Sequence, residues 1–257
     1  MKDKSEIVSN WLPRYTGVPL EQFGKYVLLT NFSNYVELFA QWHGVEVQGV
    51  GKAMPSAHAD GLSIINFGMG SPNAGTIIDL LDAIHPKAIV FLGKCGGLKT
   101  KKNKVGDLIL PIAAVRGEGT SNDYLPAEVP ALPAFALQKA ISTTIRDFNL
   151  DYWTGTVYTT NKRVWEHRED FKEYLRELRC IAIDMETATL FVAAFKNHMP
   201  AGAILLVSDM PMTPEGVKTE SGDNVVTSNF ADMHLKIGIE SLNQLINNSA
   251  TVKHLRF

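Results

Sequence analysis

The sequence is poor in the features that mark several common classes of protein. It has two cysteines, Cys95 and Cys180, too few for a disulfide framework or a four-cysteine zinc site. It has no basic excess: 25 lysines and arginines face 27 aspartates and glutamates, for a net charge of -2. A nucleic-acid coat, which needs such an excess or a basic stripe, is therefore not expected. No apolar run approaches the ~20 residues that span a bilayer. The opening segment MKDKSEIVSN is polar and lacks the apolar core of a signal peptide. These absences predict a protein with no membrane association in a reducing, cytoplasmic compartment. The seven histidines show no HxxxH or HxH spacing, so no metal site is expected. A GxxxxGK[ST] phosphate loop, a GxGxxG fingerprint and a GxSxG elbow are also missing.

With 45% hydrophobic residues in 257, the chain is long enough for one compact domain with a sizeable core. Residues 1–24 read as an irregular arm, broken by Pro13, Gly17 and Pro19, ahead of a single domain over 25–257. Strand-like runs fall at 25–30, 62–67, 88–92, 108–115, 152–158, 180–183 and 201–207, with an alternating stretch at 45–50. Helical patterns fall at 35–42, 73–84, 133–148, 167–178, 186–196 and 225–246. Fully apolar strands such as AIVFL and AGAILLV, set between helices, predict a three-layer α/β/α domain with a mixed central sheet. Ligands of such sheets sit beyond the strand ends, which directs attention to five loops.

The first, GMGSPNA from Gly68, leads from strand LSIINF into a helix. Its glycines allow close backbone approach, and the helix start offers free N–H groups; a plain strand-to-helix turn is the alternative. The second, GKCGGL from Gly93, carries Lys94, a point charge for an anion. Cys95 reads as a small buried thiol, and the loop as a structural glycine turn is the alternative. The third, RGEGTSNDY, gathers Arg116, Thr120 and Ser121, a composition suited to a phosphate or a sugar or to an ordinary polar loop. The fourth, DMETATL, sets Glu186 in an apolar context, where a carboxylate is costly unless paired with donors. Two vicinal hydroxyls are one such pairing, while a helix N-terminal acid fits Asp184 better. The fifth is Val207-Ser208-Asp209 at the end of the most apolar strand. Burial there raises a carboxyl pKa and makes Asp209 a candidate proton donor, or a structural cap. A loop with Pro211, Pro214, Gly216 and Lys218 follows and is placed to close over a site. Trp165, in the polar run NKRVWEHR with Arg163, faces either a base and an anion or solvent.

Taken together and in this order, GMGSPNA, GKCGGL, RGEGTS, DMETATLF and VSD resemble the nucleoside phosphorylase superfamily of the purine nucleoside and uridine phosphorylase type. Within it, GMGSPNAGTIIDLL, GKCGGLK, LPIAAVRGEGTSNDYLP and SDMPMTPEGVKTE are most similar to the AMP nucleosidase branch. The resemblance spans about residues 25–246. It implies a nucleoside phosphorylase-like fold, no metal or organic cofactor, and a homo-oligomer, hexameric and built from dimers. It also implies hydrolysis of AMP to adenine and ribose 5-phosphate.

The resemblance assigns roles residue by residue. Asp209 matches the acid beside purine N7. Glu186 matches the carboxylate on the ribose hydroxyls, with Met185 under the sugar and Met69 as a further sugar contact. Lys94, Thr120 and Ser121 fall where phosphorylases meet phosphate or sugar. Arg116, Lys94 and Arg163 are the candidates for the 5′-phosphate, and Trp165, Ile183 and Ser208 for the base. Two departures stand out. The glycine-rich, arginine-bearing loop after the first strand is replaced by Thr30-Asn31-Phe32-Ser33-Asn34-Tyr35, and the arginine before the glycine turn by Phe91. Both remove cations for inorganic phosphate and favour water as the attacking group. AMP nucleosidases commonly carry an extra N-terminal domain; the short arm here implies that regulation through one is missing. A phosphate-using nucleoside phosphorylase is the second reading, and a non-catalytic nucleotide sensor the third.

Overall fold

The computed structural model describes residues 3–247, so the first two residues and 248–257 of the expected arm and domain lie outside it. Eight strands form one mixed sheet: β1 (Tyr26–Thr30), β2 (Ser56–Ala59), β3 (Leu62–Asn66), β4 (Ala88–Gly97), β5 (Leu108–Gly117), β6 (Trp153–Thr160), β7 (Ala182–Asp184) and β8 (Ala201–Asp209). Among the described residues seven α-helices surround it: α1 (Lys4–Thr16), α2 (Ser33–His43), α3 (Ser71–Leu81), α4 (Phe135–Asp147), α5 (Glu169–Glu177), α6 (Thr187–Lys196) and α7 (Glu220–Asn247). Alternation along β1 sends Val27 and Leu29 into one core, with Leu12, Ile77 and Phe191 of α1, α3 and α6. Leu28 points into the other, with Phe39, Leu137 and Leu235 of α2, α4 and α7. Burial on both faces is why these strands read as unbroken apolar runs.

Strand β4 is the pivot of the sheet. It runs parallel to β1 on one side and to β8 on the other. Its register with β8 shifts between Cys95 and Gly96, and Gly96 and Gly97 then pair antiparallel with β7. The pairings β4–β7, β7–β6, β6–β5, β5–β8 and β8–β4 close a ring of strands. The segment GKCGG is therefore not a loop, as expected, but the continuation of β4. Glycine is needed at the crossing: a Cβ on Gly96 would lie 2.7 Å from Pro211 Cγ. Similarly, β5 runs on through Arg116 and Gly117.

The opening segment is helical rather than irregular. Asp3 and Glu6 form a capping box, and the Gly17 N–H, at left-handed φ of 74°, closes the helix on the Pro13 carbonyl. Pro13 sits inside α1, and Gly17 is its cap rather than a break in a loop. Val8 and Leu12 are buried, and Leu12 belongs to the core shared with α3. The alternating stretch 45–50 forms no strand; only Gln48 bridges to Ser56. Strand β2 escapes notice in the sequence because SAHA is short and weakly apolar. Among the described residues no helix is long and apolar enough to cross a membrane.

Candidate active site

The ends of β1, β4, β7 and β8 and the loops after β3 and β6 surround one cavity of about 150 Å³. Of the expected site residues, it collects Met69, Lys94, Arg163, Trp165, Ile183, Met185, Glu186, Ser208 and Asp209. Asn31, Phe32, Lys162 and Lys218 also line it.

Glu186 sits at the start of α6 and is 2% exposed. Its Oε1 accepts the Gly70 N–H at 2.7 Å and its Oε2 the Met185 N–H at 3.2 Å. Gly70 has φ of 95°, a backbone state that favours glycine and that aims this N–H at the carboxylate. The Asp184 side chain serves the first turn of α6: its Oδ2 accepts the Thr187 N–H at 2.8 Å while Oδ1 accepts the Thr159 hydroxyl at 2.7 Å. Asp184 thus takes the structural role and leaves Glu186 facing the cavity. Burial raises both carboxyls, Glu186 up to about 8, with the adjacent Asp184 charge adding to it.

Asp209 ends β8. Burial raises its pKa, against the Ser208 hydroxyl and the positive charges of Lys218 and Arg163. The Ser208 hydroxyl lies 2.7 Å from Asp209 Oδ1. Arg163 Nη1 donates to Glu166 Oε1 at 3.0 Å, and the Glu166 Oε2 accepts the Trp165 N–H at 2.9 Å. Trp165 packs edge-on to Phe171 in a small third core while one side of it borders the cavity. Met69 is exposed at the mouth.

Lys94 is not free. Its side chain is 2% exposed, and Nζ lies 2.8 Å from Asp223 Oδ1 and 2.7 Å from Thr227 Oγ1, both on α7. The Phe32 ring covers it, with the centroid 4.4 Å away. Burial lowers the Lys94 pKa against the pull of Asp223. Lys218 Nζ reaches the same Asp223 oxygen at 3.0 Å, and Asp223 is held below the usual carboxylate range by its two lysines, against the desolvation of its burial.

Arg116, Thr120 and Ser121, expected to meet a ligand phosphate, lie away from this cavity, and the Arg116 side chain is taken up by hydrogen bonds within its own loop. Arg116 donates from Nε to Ser121 Oγ, from Nη1 to the Pro126 and Val129 carbonyls, and from Nη2 to Asn122 Oδ1 and the Leu125 carbonyl. Those are all five guanidinium donors, so the residue clamps its own loop. Replacing Arg116 with Ala should lower stability by about 2–3 kcal/mol and leave the KM for substrate unchanged. Denaturant melts beside initial rates check this, and a raised KM with unchanged stability would return Arg116 to the ligand.

Sequence reasoning missed Asn31, Phe32, Asp223 and Thr227 as parts of the site. The replaced loop at 30–35 was a signal for the first two. Asp223 and Thr227 belong to a long helix whose start the pattern placed at 225, and nothing local marks them. Asn31 Oδ1 is buried without a hydrogen-bond partner, and among the described residues no cluster of three or more His, Cys, Asp or Glu is arranged to hold a metal ion.

Two carboxyls that burial raises, Glu186 just past β7 and Asp209 at the end of β8, thus line one cavity on either side of β4. The chain belongs to the Phosphorylase superfamily, whose family model matches residues 25–236. It is 29% identical over 280 residues to the AMP nucleosidase of Escherichia coli K12, across 91% of this chain and 57% of that protein. It therefore spans less than two thirds of that relative's length. It is 56% identical to the AMP nucleosidase structure from Bacteroides thetaiotaomicron, with a TM-score of 0.86 over 96% of this chain and 100% of that one. A uridine phosphorylase from Vibrio fischeri shares the fold, with a TM-score of 0.77 at 21% identity over 88% of this chain and 95% of that one.

Proposed function

We propose that the protein is an N-glycosyl hydrolase that cleaves AMP to adenine and ribose 5-phosphate. The observation that carries this reading is the placement of Asp209 and Glu186 on one cavity, at the ends of β8 and β7. The likeness to two AMP nucleosidases supplies the substrate. Cleaving a purine N-glycosidic bond leaves positive charge on the sugar and negative charge on the base, through an oxocarbenium-like transition state. Asp209, whose pKa burial raises, donates its proton to N7 and makes adenine a neutral leaving group. Glu186 accepts the ribose 2′ and 3′ hydroxyls and fixes the sugar, with Met185 and Met69 against it. Asn31 Oδ1, unpaired beside Glu186, accepts a further sugar hydroxyl. Trp165, Ile183 and Ser208 border the base. Arg163, with Lys162 at the rim, takes the 5′-phosphate in place of Arg116. Water then adds to C1′, and its proton returns to Asp209 through solvent.

The catalytic unit is residues 25–257, with α1 packed on it. It works as a homo-oligomer, hexameric, in cytoplasmic purine salvage; the exposed apolar Ile112, Leu132 and Phe135 suit subunit contacts. Chromatography of products from AMP, adenosine, IMP and GMP, with and without inorganic phosphate, tests the reading. Adenine release from AMP without phosphate, with solvent ¹⁸O at the anomeric position, is the expected result. Phosphate-dependent ribose 1-phosphate from adenosine would make it a phosphorylase, and tight AMP binding without adenine release a sensor.

A further inference from the structure

The attacking group must reach C1′ from the side opposite the departing base. Asp209, which meets the base, stands at the end of β8. Strand β4 lies between β8 and β1, so the opposite flank of the cavity belongs to Lys94 on β4 and Phe32 just past β1. Lys94 pairs with Leu206 and Gly96 with Asp209, so Lys94 stands one strand over from the acid and further back along β4, and Phe32 follows β1, a second strand over. A buried lysine on that flank would ordinarily draw an anion into the position of attack. Here the ammonium is spent. Asp223 and Thr227 bind it, the Phe32 ring covers it, and the same Asp223 oxygen also holds Lys218.

We propose that Asp223 is the specificity-determining residue that keeps inorganic phosphate off the attacking side of the sugar, leaving that place to water. The inference rests on the hydrolytic reading above and assigns its nucleophile choice to one carboxylate on α7. Asp223 occupies, as an internal anion, the partner position that a phosphate oxygen would otherwise take. Without it, Lys94 and Lys218 are both uncovered toward one corner of the cavity. A phosphate seated there either obstructs water or replaces it. In replacement, a phosphate oxygen bonds to C1′ as the C1′–N9 bond breaks and N7 takes the Asp209 proton. Adenine and ribose 1,5-bisphosphate form, and the hydrogen phosphate proton returns to Asp209 through solvent.

The test compares the full-length wild type with Asp223→Asn, Asp223→Glu and Thr227→Val at saturating AMP, over a series of inorganic phosphate concentrations. Adenine release and the sugar product are both measured. Wild-type kcat should be indifferent to phosphate, any effect being confined to KM by competition with the 5′-phosphate of AMP. Asp223→Asn should show a phosphate-dependent kcat, or ribose 1,5-bisphosphate among its products. Its phosphate sensitivity should exceed that of the wild type by on the order of tenfold, the scale of one charge-assisted hydrogen bond. Asp223→Glu should restore indifference, and adding Lys94→Met to Asp223→Asn should abolish the new sensitivity. Thr227→Val, which loosens the same cap without removing a charge, should respond in the same direction and serves if Asp223→Asn does not fold. Variants as indifferent to phosphate as the wild type would overturn the assignment. A wild type that itself needs phosphate would instead overturn the hydrolytic reading, so the two failures are distinct.

Discussion

Asp209→Asn should release adenine from AMP about 10²–10⁴-fold more slowly than the wild type, the span of a positioned general acid, while binding AMP with near-normal affinity. The amide keeps the size and can still accept the Ser208 hydroxyl bond seen at 2.7 Å, but it has no proton of the right acidity to give to N7. Single-turnover rates beside calorimetric binding separate the two effects. Near-normal turnover in the variant would remove Asp209 from the acid role. The pH dependence follows with its sign. The acid works when protonated, and burial raises its pKa against the counter-pull of Ser208, Lys218 and Arg163. Wild-type turnover should therefore persist above the ordinary carboxylate range and fall as pH rises through the raised value. Removing a nearby cation, as in Lys218→Met, should move that falling limb to still higher pH.

Glu186→Ala should damage binding and turnover together. Two hydrogen bonds from the sugar hydroxyls are lost; the bound hydroxyls favour the ionised carboxylate, so each is charge-assisted and worth about 1.5–3 kcal/mol, and kcat/KM should fall about 10²–10⁴-fold. An unchanged kcat/KM would rule out the ribose grip. The same carboxyl has a signature in the empty protein. Its folded pKa is raised by burial from 4.5 to about 8, so the unfolded chain releases its proton first as pH rises. Its contribution to stability is thus intact below 4.5 and is lost progressively up to about 8. Thermal melts of the wild type should show that decline, and Glu186→Ala should flatten it.

Much of this was legible in the residues. The unbroken apolar runs at 88–92 and 201–207 announced strands covered on both faces, and Asp209 and Glu186 stood out because carboxylates at such strand and helix ends have few cheap roles. Other readings failed for local reasons. Glycines in GKCGG looked like a loop because strand pairing at a crossing between β7 and β8 demands the same residue that a turn does. Pro13 and Gly17 looked like breaks because their places inside and at the cap of α1 depend on where that helix starts. The cations were the hardest to place. A sequence shows that a lysine or arginine is present but not whether its charge is spent.

The sequence by itself determined the alternation of strands and helices, the three layers and the strand-end acid, because burial periodicity and turn chemistry are properties of neighbouring residues. The tertiary structure alone decided which charges remain for a ligand. Arg116 is consumed within its own loop, whereas Lys94 is consumed by Asp223 and Thr227, 129 and 133 residues further along the chain. Long, flexible cationic side chains take their partners from whatever the fold brings within about 3 Å, and no local pattern records that choice.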